Sequence, residues 1–189
     1  MYHSGNSQQG TALRDFFTML AVCHTVMVEE DKTIPKSQNM TDNLKYSASS
    51  PDELALVMGS KDVGITYFKR TASTISIRLG CEPHSSKQPT EEDYEALVEF
   101  PFDSTRKRMS LLVKHVQTGK HYLMCKGADS IMIPRIKIDT ETQRKMEADL
   151  MKFALQGLRT LVFSRKEMNN QDFKDFMKKY TDLKTSVDP

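Results

Sequence analysis

The stretch from residue 99 to residue 113 carries the most suggestive chemistry in the chain, because two phenylalanines precede a run of three cations. In a β-strand, side chains two residues apart share a face, so Phe100 and Phe102 are expected to point the same way. Pro101 between them has no N–H to donate, which favours a strand end or an edge strand. The cationic run consists of Arg106, Lys107 and Arg108. An aromatic ring beside several cations at one end of a sheet suits a flat, anionic ligand such as a nucleotide.

The same residue types also have ordinary structural roles. Most phenylalanine pairs in strands belong to a core, and most basic runs are solvated surface or loose nucleic-acid patches. A second functional class is therefore open, namely an RNA- or single-stranded-DNA-binding or protein-interaction module that uses the aromatic and basic residues as a stacking platform. A third class, a complete phosphotransferase, needs a nucleophile and a metal site that the sequence does not reveal.

Four further residues could complete a nucleotide site. Glu53 could accept a hydrogen bond from an exocyclic amine, and Lys126 and Arg159 could donate to phosphate oxygens. Gly127 would let a ligand approach the backbone closely. Each of the charged groups also has a simpler interpretation. Glu53 stands three residues after Ser50, the spacing of a capping box, Lys126 can be an ordinary lysine at a strand end, and Arg159 can lie over the preceding helix.

Catalytic signatures are missing from the sequence. It contains no Walker A motif, no GxGxxG after a predicted strand, no GxSxG elbow and no HExxH. Its carboxylates do not pair convincingly as an acid and a base. The chain by itself is therefore predicted to bind a ligand and not to catalyse a reaction.

Composition favours one soluble globular domain. The 189 residues are 38% hydrophobic and 28% charged, and the net charge of +2 is too small for general nucleic-acid or membrane binding. Three scattered cysteines without a CxxC pair predict neither disulfides nor zinc and favour a reducing, cytosolic setting. We expect no signal peptide, and no apolar run approaches the ~18 residues of a membrane span. The expected organisation is a flexible segment over 1–10, the domain over 11–181 and a tail over 182–189.

Hydrophobic periodicity and turn residues predict consecutive hairpins interrupted by helices. Helices are predicted over 11–28, from Pro51 to about Gly59, over 128–136, 140–156 and 170–180. Strands are predicted over 45–49, 65–70, 73–79, 94–102, 107–115, 120–125 and 159–164. These elements predict an α+β fold, with a mainly antiparallel sheet and helices packed on it.

Six segments, in this order, resemble the nucleotide-binding (N) domain of P-type ATPases, and specifically the P4 branch of phospholipid flippases. They are Cys23-His24-Thr25-Val26, residues 46–57 with Ser50-Pro51-Asp52-Glu53, residues 64–71, Phe102 to Ser110, Lys126-Gly127-Ala128-Asp129-Ser130, and Gly157-Leu158-Arg159-Thr160-Leu161. The resemblance covers nearly the whole chain. The sequence departs from the family pattern at Leu54, Met27 and Pro134.

The resemblance implies a role for each candidate residue. Phe102 would stack on adenine, Glu53 would lie near its amino edge, and Lys126 would sit deep beside the base and ribose. The remaining implied roles are phosphate binding by Lys107 and Arg159, lining of the pocket by Met109, and shaping of the loop by Gly127.

The resemblance also implies a context. The ligand would be ATP, with Mg²⁺ in the full-length enzyme, and the partners would be phosphorylation and actuator domains of the same protein. The intact protein would be an ATP-driven aminophospholipid translocase of a membrane, with a phospholipid substrate and an accessory subunit, and this chain its cytoplasmic ATP-docking domain. The nucleophilic aspartate would lie outside the chain. One stack and a few hydrogen bonds of about 0.5–1.5 kcal/mol each suggest a Kd of roughly 0.1–1 mM and no hydrolysis.

Overall fold

A six-stranded antiparallel sheet organises the structure, a computed structural model that describes residues 8–31, 43–81 and 88–186. Its spatial order follows the chain: β3 (Ile65–Arg70), β4 (Thr74–Leu79), β5 (Thr90–Asp103), β6 (Arg108–His115), β7 (His121–Gly127) and β8 (Val162–Met168). A separate two-stranded ribbon pairs β1 (Met27–Glu30) with β2 (Leu44–Ser47). The predicted α+β fold with a mainly antiparallel sheet is confirmed.

Five helices surround the sheets in the described part of the chain. Their positions follow from polar capping residues, from a proline in the first turn or from apolar periodicity. They are α1 (Gln8–Val22), α2 (Pro51–Asp62), α3 (Asp129–Met132), α4 (Thr140–Leu155) and α5 (Asn170–Thr185), with a 3₁₀ turn at Ile133–Arg135. Ser50 caps α2 as predicted, since its hydroxyl accepts from the Glu53 N–H. The late proline predicted to distort the helix after residue 128 lies in the 3₁₀ turn.

Two apolar clusters lie on opposite faces of the sheet. The larger cluster joins α1 and α2 to the face that carries Met109, Leu111 and Val113 of β6. The smaller cluster contains Leu112 of β6, and side chains of α5 pack against it. Successive residues of β6 alternate between the clusters because side chains alternate across a strand. Both faces of the sheet centre are therefore covered.

The predicted first helix was too long. The structure ends α1 at Val22, and Met27 and Val28 belong to β1 instead. His24 explains the early end. Its ring is 1% exposed, and its two nitrogens bond the Ala21 carbonyl and the Val26 N–H, which fixes a turn where the helix would have continued. Apolar periodicity cannot reveal such a turn.

One other boundary differs in a way that matters for the site. The last strand begins at Val162, so Arg159 lies in the connection after α4 and not in a strand. The helix predicted over 140–156 is present as α4, but it contributes no buried residue, although the structure describes the whole helix. The sheet together with α1, α2 and α5, and not α4, therefore builds the core.

Parts of four predicted segments lie outside the described residues: the N-terminal segment 1–10, the loops over 29–43 and 80–92, and the tail over 182–189. Within the described ranges, no helix is both long and apolar enough to cross a bilayer.

Candidate functional site

The strand register brings the predicted site segments to one end of the six-stranded sheet. Asp103, Arg108, Gly127 and Val162 form a row across β5, β6, β7 and β8. Phe102 directly precedes Asp103, and Lys126 directly precedes Gly127. Adjacent strands are about 4.8 Å apart, so these two residues lie on strands roughly 10 Å from each other. A planar ring system could fit across that distance.

Glu53 and Lys126 form an ion pair at this end of the sheet. Lys126 Nζ donates to Glu53 Oε1 at 2.6 Å, although 73 residues separate the two in sequence. The other carboxylate oxygen, Oε2, accepts from the Thr25 hydroxyl at 2.5 Å and from the Thr25 N–H at 3.1 Å. Lys126 is only 6% exposed. The carboxylate therefore bonds groups from distant parts of the chain, and the interpretation of Glu53 as a mere helix cap is wrong.

The electrostatics keep this carboxylate ionised. Burial by itself would raise the pKa of Glu53, but hydrogen bonds from Lys126 and Thr25 outweigh burial and lower the pKa below its usual value. Glu53 also lies in the first turn of α2, where the helix dipole favours a negative charge. At neutral pH the site thus holds an acceptor-only carboxylate beside an ammonium group.

Phe100 and Phe102 do not form the shared aromatic surface that the sequence predicted. A register shift between Phe100 and Asp103 breaks the regular alternation of β5. Phe100 packs edge-on against Tyr180 of α5, with ring centroids 5.8 Å apart, whereas the Phe102 side chain is 65% exposed. Of these two phenylalanines, Phe102 is therefore the one whose ring is open to a ligand. Pro101 lies within this irregular end of β5, in a central strand and not an edge strand.

A neighbouring turn requires a glycine at position 127. A Cβ atom at Gly127 would lie 2.5 Å from the Lys107 carbonyl oxygen and 2.7 Å from the Arg108 Cβ. Lys107 adopts a positive φ of 50°, and its carbonyl accepts from the Ala128 N–H at 3.2 Å. The close contact between the β5–β6 turn and the segment after β7 therefore accounts for this glycine, and the expectation that it leaves room for a ligand stays a prediction.

The remaining predicted residues lie at different depths. Arg159 is exposed, and its Nη1 donates to Asp52 Oδ2 of α2 at 2.8 Å, which brings the connection before β8 beside Glu53. Met109 is 1% exposed, belongs to the larger core cluster and is the cross-strand partner of Lys126. Met109 therefore lies beneath the surface and supports the lysine from the neighbouring strand.

Three residues of this region escaped the sequence interpretation. Thr25 appeared only as a member of a motif, although it bonds Glu53 twice. Asp52 is the partner of Arg159. Asp103 accepts from the N–H groups of Thr105 and Arg106, each at 2.8 Å, and so shapes the turn after Phe102. The position of an aspartate before Ser-Thr-Arg is a turn signal that could have revealed the last of these.

The described residues do not offer a metal cage. Within residues 8–31, 43–81 and 88–186, no group of three or more His, Cys, Asp or Glu side chains could hold a metal ion. The donor set therefore does not fit a resident Mg²⁺. A magnesium ion is commonly held by substrate phosphates, its own waters and one or two carboxylates.

Comparison with known proteins agrees with this architecture. A family model described as the P-type ATPase cytoplasmic domain N matches residues 12–186. The probable phospholipid-transporting ATPase 12 of Arabidopsis thaliana is 36% identical over 179 residues, which cover 93% of this chain and 14% of that protein. The phospholipid-transporting ATPase IC of Xenopus tropicalis is 39% identical over 167 residues, which cover 88% of this chain and 12% of that protein. The phospholipid-transporting ATPase NEO1 of Saccharomyces cerevisiae is 36% identical over 175 residues.

The antiparallel sheet, the ordered motifs and the family match define an N domain of the P-type ATPase class, and the chain belongs to that family. Within the class, its similarity to phospholipid-transporting ATPases places it in the P4 branch, as the sequence motifs indicated. The chain spans 14% or less of the length of the relatives described above.

Proposed function

We propose that this chain is the ATP-binding domain of a phospholipid-transporting P-type ATPase and that it presents ATP to an aspartate of a phosphorylation domain outside the chain. The observation that carries the proposal is the ion pair of half-buried Glu53 with buried Lys126 at the sheet end where the exposed ring of Phe102 lies. An ionised carboxylate, an ammonium and an open aromatic face are the groups that recognise an adenine nucleotide.

Each residue has a defined task in this proposal. The Phe102 ring stacks on the base, an interaction that is worth roughly 1–3 kcal/mol. Glu53 accepts from the amino group of adenine, and Lys126 holds Glu53 while facing the base and ribose. Lys107 and Arg159, both exposed, reach toward the phosphates. Met109 supports Lys126 from β6, and Gly127 keeps the loop against the neighbouring turn.

In the whole protein, the proposed activity is ATP-driven translocation of a phospholipid, an aminophospholipid in particular. This chain would then be a cytoplasmic domain of an integral membrane protein, with Mg²⁺ accompanying the nucleotide. Its partners would be the phosphorylation and actuator domains, and an accessory subunit would complete the intact enzyme. The names of the relatives support the transport of phospholipids.

A nucleic-acid platform fits the geometry less well. That alternative uses Phe100 and Phe102 together, but Phe100 is engaged with Tyr180 of α5. A filter-binding titration separates the two functions. Tight RNA binding that weakens steeply with salt and ignores ATP would favour the alternative, because phosphate contacts release counterions.

A nucleotide titration tests the proposal directly. Amide NMR shifts of the 189-residue chain are followed as ATP is added, and we expect changes clustered around residues 53, 102, 126 and 159. Phe102→Ala should weaken binding roughly 5- to 150-fold, the equivalent of one lost stack. Leu183→Ala is the matched control, since it removes an exposed apolar side chain from α5. An unchanged affinity of Phe102→Ala would contradict the proposal.

A further inference from the structure

Thr25 lies between α1 and β1 and contacts the carboxylate on which the proposed adenine recognition depends. We propose that Thr25 is a positioning residue that sets base specificity: it fixes Glu53 so that the carboxylate accepts from a 6-amino purine and disfavours a 6-oxo purine. The inference rests on the proposed ATP-binding function and adds to it a residue that determines which nucleotide is selected.

The first step concerns the acceptor capacity of Glu53. An ionised carboxylate offers roughly four acceptor positions on its two oxygens. Thr25 occupies Oε2 with two donors, its hydroxyl and its N–H, and Lys126 Nζ bonds Oε1. Among the described residues, these three bonds leave about one acceptor position, and it lies on Oε1. Glu53 is thus prepared to receive one further donor from one direction.

The second step is that Thr25 is itself held in place. The Nδ1 atom of His24 accepts from the Val26 N–H at 3.1 Å, so its proton is on Nε2, which donates to the Ala21 carbonyl at 2.9 Å. Arg70 Nη1 donates to the His24 carbonyl at 2.8 Å. These bonds fix the backbone on both sides of Thr25. The threonine therefore has its orientation before any ligand arrives, as a supporting residue must.

The third step is the chemistry of the base edge. The 6-amino group of adenine is a donor and matches the free acceptor position on Glu53. A 6-oxo group presents an acceptor to an acceptor, which leaves the carboxylate facing a lone pair. Without the hydroxyl of Thr25, Oε2 keeps only the bond from the backbone N–H of residue 25, and Oε1 keeps the bond from Lys126. The Glu53 carboxylate is then less tightly restrained and can shift away from a mismatched base. Selectivity between the two bases therefore depends on the restraint and not only on the charge.

The test compares two nucleotides that differ at this edge, ATP and ITP. Dissociation constants are measured by calorimetry for the 189-residue chain, Thr25→Val, Thr25→Ser and the control Thr185→Val. We expect the unmodified chain to bind ATP roughly tenfold or more tightly than ITP, because ITP loses one hydrogen bond to a charged group. In Thr25→Val this ratio should fall to about threefold or less, while Thr25→Ser retains the hydroxyl and restores it. The Thr185 hydroxyl donates to the Thr181 and Asp182 carbonyls of α5, so its variant should keep the full ratio.

The outcomes separate this inference from the proposed function. Absence of ATP binding by the unmodified chain overturns the proposed function and the inference together. Normal ATP binding with an unchanged ratio in Thr25→Val overturns the inference alone. A lost ratio in Thr25→Ser also overturns it, because the hydroxyl is still present. If Thr25→Val does not fold, Thr25→Ala replaces it, and an unchanged ratio in that variant has the same meaning.

Discussion

The pair of Glu53 and Lys126 should be strongly coupled in the free energy of unfolding. Removal of one partner from a buried ion pair costs about 3–5 kcal/mol, because the other charge stays buried without compensation. Lys126 is nearly inaccessible, but Glu53 keeps two bonds to Thr25 after Lys126→Met. We therefore expect the lower end, about 3 kcal/mol, for Lys126→Met and a similar loss for Glu53→Gln.

The double variant should lose much less than the sum of the two single losses. When both charges are gone, neither is left unpaired, so we expect a total loss of at most about 3 kcal/mol and a coupling energy of about 3 kcal/mol or more. The assay is urea unfolding at pH 7 followed by far-UV circular dichroism for the four proteins of the cycle. The experiment needs no nucleotide and so tests the ion pair by itself.

An exposed ion pair provides the control cycle. Lys145 and Glu141 are four residues apart on α4 at 2.6 Å, with both side chains largely exposed. Exposed helix pairs of this kind contribute about 0.3–0.5 kcal/mol. If the loss of the double variant equals the sum of the two single losses to within about 0.5 kcal/mol, Glu53 and Lys126 behave as independent sites. That result would refute the reasoning that the two charges depend on each other.

Three further predictions follow from single residues. Burial lowers the pKa of His24 from 6.5 to about 4, so the unfolded chain binds more protons than the folded chain between these pH values. The free energy of unfolding should therefore fall by about 3 kcal/mol as the pH drops from 6.5 to 4. His24→Asn should remove that pH dependence in acid unfolding curves. Gly127→Ala forces a methyl group against the Lys107 carbonyl and should cost about 1–3 kcal/mol in urea unfolding, whereas Gly59→Ala, with open space in α2, should stabilise by about 0.5–1 kcal/mol. Arg159→Ala should change the free energy of unfolding by less than about 1 kcal/mol, because the ion pair of Arg159 with Asp52 is exposed. In the nucleotide titration the same variant should weaken ATP binding more than adenosine binding. Equal weakening of both would contradict a contact between Arg159 and the phosphates.

Much of the sheet was predictable because its signals are local. Gly119 has a positive φ of 71° in the β6–β7 hairpin, and the strands predicted over 107–115 and 120–125 lie at Arg108–His115 and His121–Gly127. The meander also follows from hairpins that succeed one another in the chain. In contrast, the register shift after Phe100 changed the environment of one ring, and Pro101 marks its place in the sequence without showing which ring is affected.

The partners of the site could not be predicted from local patterns. Ser50 and Glu53 satisfy a capping pattern, and nothing nearby in the sequence shows that the carboxylate bonds Lys126 and Thr25 instead. Those contacts span 73 and 28 residues, so they exist only after the strands and helices have packed. The resemblance to a family identified Glu53 and Lys126 as neighbours of one ligand but left their bond to each other unstated.

The hydrogen bond between the Lys107 carbonyl and the Ala128 N–H has a mechanical consequence. Together with the tight packing at Gly127, it clamps the turn after Phe102 onto the segment after Lys126. Phe102 and Lys126 therefore lie on two backbone segments that are joined to each other, so a displacement of one segment also displaces the other.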